Sequence, residues 1–293
     1  MFVANNTIVS TENGLQLAES IFDEIYSLNS FIKISKNETK KDSIFIKTEL
    51  FPSFSIGKDT SILTGRLLQR DNQVVINNDF CNASNIREGN YLYIPKISYD
   101  CKNSFNRTLI WLYAKYLASG YFCTEAQTNE PMIIIKPKRF SKKESVKLKA
   151  IDGISFNLDK KIIFIKNKKI IEEFNKNKDN LSWNIYGSKN NLIKYFLYTL
   201  KVEGQISVEK KTLAYDIFML FYSRLNKIFK IVEVKENTNK SFLLMEANES
   251  EYFFANDKLY TRVVKVLDGK IIKGIEIENI EKNILYASFF LLK

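Results

Sequence analysis

Two stretches of this 293-residue chain, 84 positions apart, end on the same signal: Ala118-Ser119-Gly120 and Val202-Glu203-Gly204. A carboxylate such as Glu203 can hold a hard divalent cation, whereas Ser119 supplies neither charge nor a strong Mg²⁺ ligand. A missing residue type narrows the chemistry further. The chain has no histidine, which removes Ser-His-Asp and Cys-His catalysis, His-Asn-His nuclease chemistry and zinc hydrolysis on His ligands. Cys81, Cys101 and Cys123 are odd in number and lack CxxC spacing, so they read as reduced, buried thiols. With 44 Lys and Arg against 33 Asp and Glu, the net charge is +11. Such a charge calls for an anionic partner, and nucleic acid is the commonest one. Arginine is sparse beside lysine, which suits phosphate contact better than bidentate base reading. Lys, Asn and Ile also share A/T-rich codons, so base composition accounts for part of the charge.

The elements that carry Ser119 and Glu203 both read as amphipathic helices. In 108–122, TLIWLYAKYLASGYF, residues Leu109, Leu112, Tyr113, Tyr116 and Leu117 fall at helical spacing. In 192–206, LIKYFLYTLKVEGQI, Ile193, Phe196, Leu197 and Leu200 do the same. Each ends at a glycine, and strand-like segments follow both. Two similar half-domains meeting along a helical seam are expected.

An apolar content of 45% can fill a real core. No apolar run approaches the roughly 18 residues of a membrane span. The start MFVANNTIVS lacks a basic region followed by an apolar one. The expectation is a non-secreted protein with no membrane partner, located in a cytoplasm, organelle or virion.

In chain order, a short strand at 7–10 precedes the turn signal Glu12-Asn13-Gly14, and Leu17, Ile21, Phe22 and Ile25 predict a helix over 15–26. Ser43 to Lys47 and Gln73 to Asn77 read as strands, and a turn at 87–89 leads into a strand ending near Pro95. A polar connection at 96–107 puts a boundary near 100. Beyond it, strands are expected at 132–136, 160–166, 204–210, 229–235 and 241–246, and helices at 141–149, 168–180 and 212–226. The last part reads as strands 259–267, 271–278 and 284–292, with a turn at Asp268-Gly269. The fold class is α+β with pseudo-twofold repetition.

The two helix ends resemble the LAGLIDADG motif of homing endonucleases, in which an acid precedes the glycine. Lys211-Thr212-Leu213-Ala214-Tyr215-Asp216-Ile217 resembles the second helix of that family. The flanking parts resemble an intein, the Hint fold: Asn6 to Gly14 looks like its opening block and Ala83 to Pro95 like the segment closing its first half. Thr48-Glu49-Leu50-Phe51-Pro52 matches its T-x-x-H-P block with Phe51 where histidine should stand. The resemblance implies a LAGLIDADG-type αββαββ saddle at 101–250, inserted in a mainly β Hint-like domain made of 1–100 and 251–293.

It also implies lost chemistry. Protein splicing needs an N-terminal Cys or Ser, the block histidine and a terminal Asn. This sequence has Met1, Phe51 and Lys293 there, so splicing is expected to be absent. Two-strand DNA cleavage in the family needs one metal-binding carboxylate from each seam helix. Glu203 supplies one and Ser119 fails to supply the other, so that activity is expected to be lost and no cofactor is expected. A Mg²⁺-dependent nickase acting through Glu203, helped by Glu125, stays open. A saddle over duplex DNA would offer Lys136, Lys138, Arg139, Lys166, Lys168, Lys210, Lys211, Lys230 and Lys235 as contacts, mainly to phosphates. The expected function is double-stranded DNA binding by a degenerate enzyme. The alternative is a scaffold reused as a structural or interaction subunit of a viral or organellar particle, which the many aromatic residues would suit. Tyr198 stands where the family prefers a small seam residue, opposite Ala114. Either it packs across Ala114 or the register differs.

Overall fold

The computed structural model describes residues 2–5, 8–11, 14–18, 24–27, 30–33, 35–70, 73–96, 103–125, 128–176, 180–236, 239–255, 257–278, 285–287 and 290–292. It is mixed α+β with antiparallel sheets. The chain divides into two compact units: Met1–Lys96 with Phe229–Val232 and Glu246–Lys293, and Ile97–Ile228 with Glu233–Met245.

The first unit is a 12-stranded sheet system. Its spine is Lys258–Glu278, which pairs with Ser35–Thr48 from Val263 to Glu278 and with Tyr91–Ile94 before that. Ile46, Ile56, Leu92, Ile94, Leu259 and Val263 are fully buried, and the alternation of apolar and polar residues along these strands sets which face is core. Phe51, the residue in the T-x-x-H-P block, is buried and lies edge-on to Phe290 at 6.0 Å, with Phe54 stacked on Phe290 at 5.0 Å.

Three expectations are corrected here. Residues 15–26 do not form one helix: Gly14–Leu17 and Glu24–Ser27 are strands, and 19–23 lie outside the described residues. Gly14–Leu17 pairs with Ile8–Thr11. Leu17, Ile21 and Ile25 fit the helical period, whereas Leu15 and Leu17, two apart, fit a period of two, and strand pairing decided between them. Asp268-Gly269 is not a turn between two strands. It is a bulge inside Lys258–Glu278, where the register with Ser35–Thr48 shifts between Asp268 and Ile271. A Cβ on Gly269 would lie 2.1 Å from Ser43 Oγ, and that hydroxyl donates to the Lys270 carbonyl at 2.9 Å. The glycine is there for close approach. The final stretch 284–292 is two short strands, Leu285–Ala287 and Phe290–Leu292, paired antiparallel.

The second unit holds six helices among the described residues: α1 Arg107–Ser119, α2 Lys142–Leu148, α3 Lys168–Lys176, α4 Trp183–Tyr186, α5 Asn190–Glu203 and α6 Lys211–Leu225. Asn106 caps α1 by accepting from the Leu109 amide at 2.9 Å, and Ser141 with Glu144 forms a capping box on α2. Between α1 and α3 run four strands, ordered in space Gly120–Thr124, Pro131–Ile135, Ile162–Ile165, Ile154–Asn157. After α5, Ile206–Val208, Asn239–Glu246 and Phe229–Glu236 make a three-stranded sheet. No helix among the described residues is long and apolar enough to cross a membrane.

Helix α6 is buried all round from Thr212 to Tyr222, as expected for a helix apolar on every face. Its exception is Asp216, whose carboxylate accepts from the Leu181 amide and Asn180 Nδ2 at 3.0 Å each and from the Tyr186 hydroxyl at 3.2 Å. These bonds favour the charged form, but burial dominates and pushes the acid up to about 7. Raised from 3.8 to about 7, Asp216 keeps its proton in the folded chain over a pH range in which the unfolded chain has released it. Stability therefore falls as pH rises through that window, by at most about 4 kcal/mol from this group. Asp216→Asn should flatten the fall in urea-denaturation midpoint between about pH 4 and about pH 8. An unchanged pH profile would show that the buried acid is ionised throughout.

Candidate functional site

Helices α1 and α5 pack against each other, with Tyr113 stacked on Phe196 at 6.2 Å between ring centroids. The buried residues of α5 are Ile193, Phe196, Leu197, Thr199, Leu200 and Glu203. Ala114 is fully buried on α1, but Tyr198 is 64% exposed. Tyr198 therefore points to solvent and does not pack across Ala114; the α5 register on the seam runs through Phe196 and Leu200.

The two glycines end their helices by different means. Gly204 takes φ 124° and ψ −142°, a conformation open to glycine almost alone. Gly120 is extended, and a Cβ there would lie 2.5 Å from the Tyr116 ring and 2.7 Å from the Tyr116 carbonyl oxygen. Both turns put the preceding residue at the last helical position.

Glu203 is only 5% exposed. Its Oε1 is ion-paired with the ammonium of Lys115, itself 1% exposed, and its Oε2 accepts from the Lys138 backbone amide at 2.7 Å. Lys115 Nζ donates a second hydrogen bond to the Arg139 carbonyl at 2.9 Å and lies 5.3 Å from the centroid of the Trp111 ring. Both carboxylate oxygens are thus engaged inside the protein, one of them by a full positive charge. Ser119, the residue at the end of α1, turns its hydroxyl back to donate to the Lys115 carbonyl at 3.1 Å. Among the described residues no three His, Cys, Asp or Glu side chains come together to hold a metal ion. Lys115 was missed in the sequence, although a lysine one turn after Trp111 and one before Ser119, inside an apolar stripe, is the signal that marks it.

Beside the end of α1 lies a cleft of about 440 Å³, whose lining includes Ser119, Tyr121, Ser207, Glu209 and Lys210. It is bounded by the end of α1, the start of the strand Gly120–Thr124, the end of Ile206–Val208 and the start of α6.

The four-stranded sheet shows which side chains share a face, because directly paired residues point the same way. Ile133 and Ile135, opposite Ile165 and Ile163, are fully buried toward the helices. The intervening row is Tyr121, Ile134, Phe164 and Ser155, one residue from each strand. Tyr121 at its edge is 45% exposed. Lys136 and Lys166 lie two residues beyond Ile134 and Phe164. Since the strands are antiparallel, the two lysines flank the row on opposite sides, each roughly 7 Å along its strand. Lys136 Nζ sits 5.7 Å from the Tyr121 ring centroid, and Lys166 is paired with Glu125 at 2.6 Å. That pairing and a hydrogen bond from Thr128 hold the Glu125 carboxyl below its ordinary value.

The remaining sequence-derived contacts scatter. Lys138 and Arg139 are exposed in side chain while their backbone serves Glu203 and Lys115. Lys168 and Lys210 are exposed at the starts of α3 and α6. Lys211 is half-buried near the Tyr215 ring, and burial lowers its ammonium, offset in part by Glu233. Lys235 also neighbours Glu233, at 3.9 Å. Lys230 groups with the first unit and pairs with Glu251 at 2.6 Å. Only Lys136 and Lys166 share the open face of one sheet.

Removing one partner of a buried ion pair leaves the other charge unpaired, a cost of about 3–5 kcal/mol, whereas replacing both with apolar residues is near neutral. Lys115→Met alone should lower the unfolding free energy by that amount, and Lys115→Met with Glu203→Leu should recover most of it in chemical denaturation. Additive losses would mean that the two groups are not coupled. No protein-family model matches the chain, and no significant match to a curated protein is found.

Proposed function

We propose that the chain is a catalytically degenerate relative of the LAGLIDADG homing endonucleases within an intein-like Hint frame, and that it retains binding of double-stranded DNA. The observation that carries this reading is the packed pair α1 and α5, each ending at a glycine and each followed by an antiparallel sheet. On this reading, residues 101–250 correspond to the saddle, and 1–100 with 251–293 to the Hint parts. Ser119 and Glu203 stand where the family has its two metal-binding carboxylates. Serine cannot replace one of them, and the Lys115 ammonium already balances the charge of the other. The buried aromatic packing of Phe51 against Phe290 fits the loss of splicing, since it fills the place of the strained-peptide histidine.

What remains is electrostatic. Lys136 and Lys166 flank an open row of sheet side chains and would neutralise phosphates as the duplex lies across the face. Lys166 exchanges its contact with Glu125 for a phosphate in doing so. Each phosphate neutralised releases a condensed counterion, so affinity falls steeply with salt.

The test is binding of the full chain to a random pool of duplex DNA across a salt series, with and without Mg²⁺. Mg²⁺ should not be required and should weaken binding only as a competing counterion, and Lys136→Gln or Lys166→Gln should each reduce the slope of log K against log salt by about 1. Elution from DNA at the same salt as from an uncharged column would overturn the reading. Mg²⁺-dependent nicks in the retained DNA would overturn the loss of catalysis and make the protein a nickase.

A further inference from the structure

A second cavity in the same unit owes nothing to the helix ends or to the DNA-binding reading. It has a volume of about 310 Å³ and is lined by Arg107, Thr108, Trp111, Glu144, Lys147 and Tyr195. Three helices build it. Arg107 and Trp111 are one turn apart on α1, Glu144 and Lys147 one turn apart on α2, and Tyr195 comes from α5.

Its parts are held in place. Trp111 is almost wholly buried, and its indole N–H donates to Glu144 Oε1 at 2.9 Å. Glu144 Oε2 accepts from the Ser141 amide at 2.7 Å and from its hydroxyl at 2.9 Å. The one acid in the cavity is therefore spent on orienting the indole and capping α2, and has little left for a ligand. The guanidinium of Arg107 lies 4.6 Å from the centroid of the Tyr195 ring. Burial raises the Tyr195 phenol, against the hydrogen bond and charge of Arg107, so this side chain is neutral at physiological pH. Among the described residues neither Arg107 nor Lys147 has an ion-pair partner.

We infer that this cavity is a binding site for a small planar aromatic anion: one ring system carrying a single phosphate or carboxylate. The phenol, with the guanidinium over its ring, and the exposed part of the largely buried indole supply the apolar walls against which an aromatic ring packs. The guanidinium matches an oxyanion with paired N–H donors, and Lys147 adds a mobile point charge at the exposed side. A cationic ligand is disfavoured because both free charges are positive while the carboxylate is occupied. The volume falls at the small end of the range of about 300–1,000 Å³ for small-molecule sites, so one mononucleotide-sized molecule fills it.

The experiment is isothermal titration of the full chain with four probes: adenosine monophosphate, indole-3-acetate, adenosine and ribose 5-phosphate. At least one of the two aromatic anions binds with a Kd in the micromolar range, and which one distinguishes a phosphate from a carboxylate ligand. Adenosine, which lacks the anion, and ribose 5-phosphate, which lacks the ring, bind at least about tenfold more weakly. Arg107→Gln with Lys147→Gln raises the Kd about tenfold or more. Lys147→Glu, a change at an exposed position that leaves the aromatic walls intact, weakens binding further at an unchanged melting temperature. The inference fails if neither aromatic anion gives saturable binding up to about 5 mM. It also fails if ribose 5-phosphate or adenosine binds as well as the aromatic anions, or if Lys147→Glu binds like the parent.

Discussion

The buried contact between Lys115 and Glu203 is the constraint on which the second unit turns. Two opposite charges, nearly free of solvent, are tolerated inside a protein only when each is paired and its remaining donors and acceptors are filled. Here that requirement ties three parts of the chain together. Lys115 comes from the middle of α1, Glu203 from the last turn of α5, and the Lys138 amide and Arg139 carbonyl from the segment after the strand Pro131–Ile135. The crossing of the two helices cannot shift without exposing or unpairing one of the charges. The same contact decides the chemistry of the helix ends, because a carboxylate already neutralised by an ammonium has little to offer a divalent cation.

A similar use of polar groups holds the irregular stretch between α3 and α5. Glu173 on α3 accepts from the Ser182 hydroxyl and from Asn184 Nδ2 at 2.8 Å, and Asp216 on α6 accepts from Asn180 and Leu181. Arg224 closes the other side by donating to the Tyr186 and Ser188 carbonyls and to Asn190. Buried backbone groups in a segment without regular structure must find partners somewhere. Within 180–189, side chains from the neighbouring helices supply them, and α4 is the regular element there. The α1, α2 and α5 wall around the cavity at Trp111 rests on the same kind of strut, with Glu144 both capping a helix and aiming an indole.

Much of the architecture was legible from period and punctuation. The helical spacing at Leu109 to Leu117 and at Ile193 to Leu200, each closed by glycine, located α1 and α5. The apolar runs at 132–136 and 160–166 located two inner strands. The errors share one cause. Leu17 and the Asp-Gly pair at 268–269 carry local signals compatible with two structures, and backbone pairing, with the adjacent strand Ile8–Thr11 in the first case and the distant Ser35–Thr48 in the second, selected the other one. The register of the family resemblance puts Tyr198 on the seam opposite Ala114, whereas the side chain is exposed. The buried set Ile193, Phe196, Leu197, Thr199, Leu200 and Glu203 shows that the helix face is set by rotation about its axis, which spacing near an amphipathic boundary defines only loosely.

The amino-acid sequence by itself determined the α+β class, the places where helices stop, the excess of positive charge and the absence of imidazole chemistry, because these follow from residue type and from contacts within one turn or one strand. Tertiary structure alone decided that Glu203 is spent on Lys115 and that Lys136 and Lys166 share a face while Lys230 belongs to the other unit. It also decided that Arg107, Trp111, Lys147 and Tyr195 enclose one cavity. Those facts depend on which residues 30 to 90 positions apart are brought within a few ångströms. No local preference of a chain encodes that distance; it is set when apolar faces pack and buried charges must find partners.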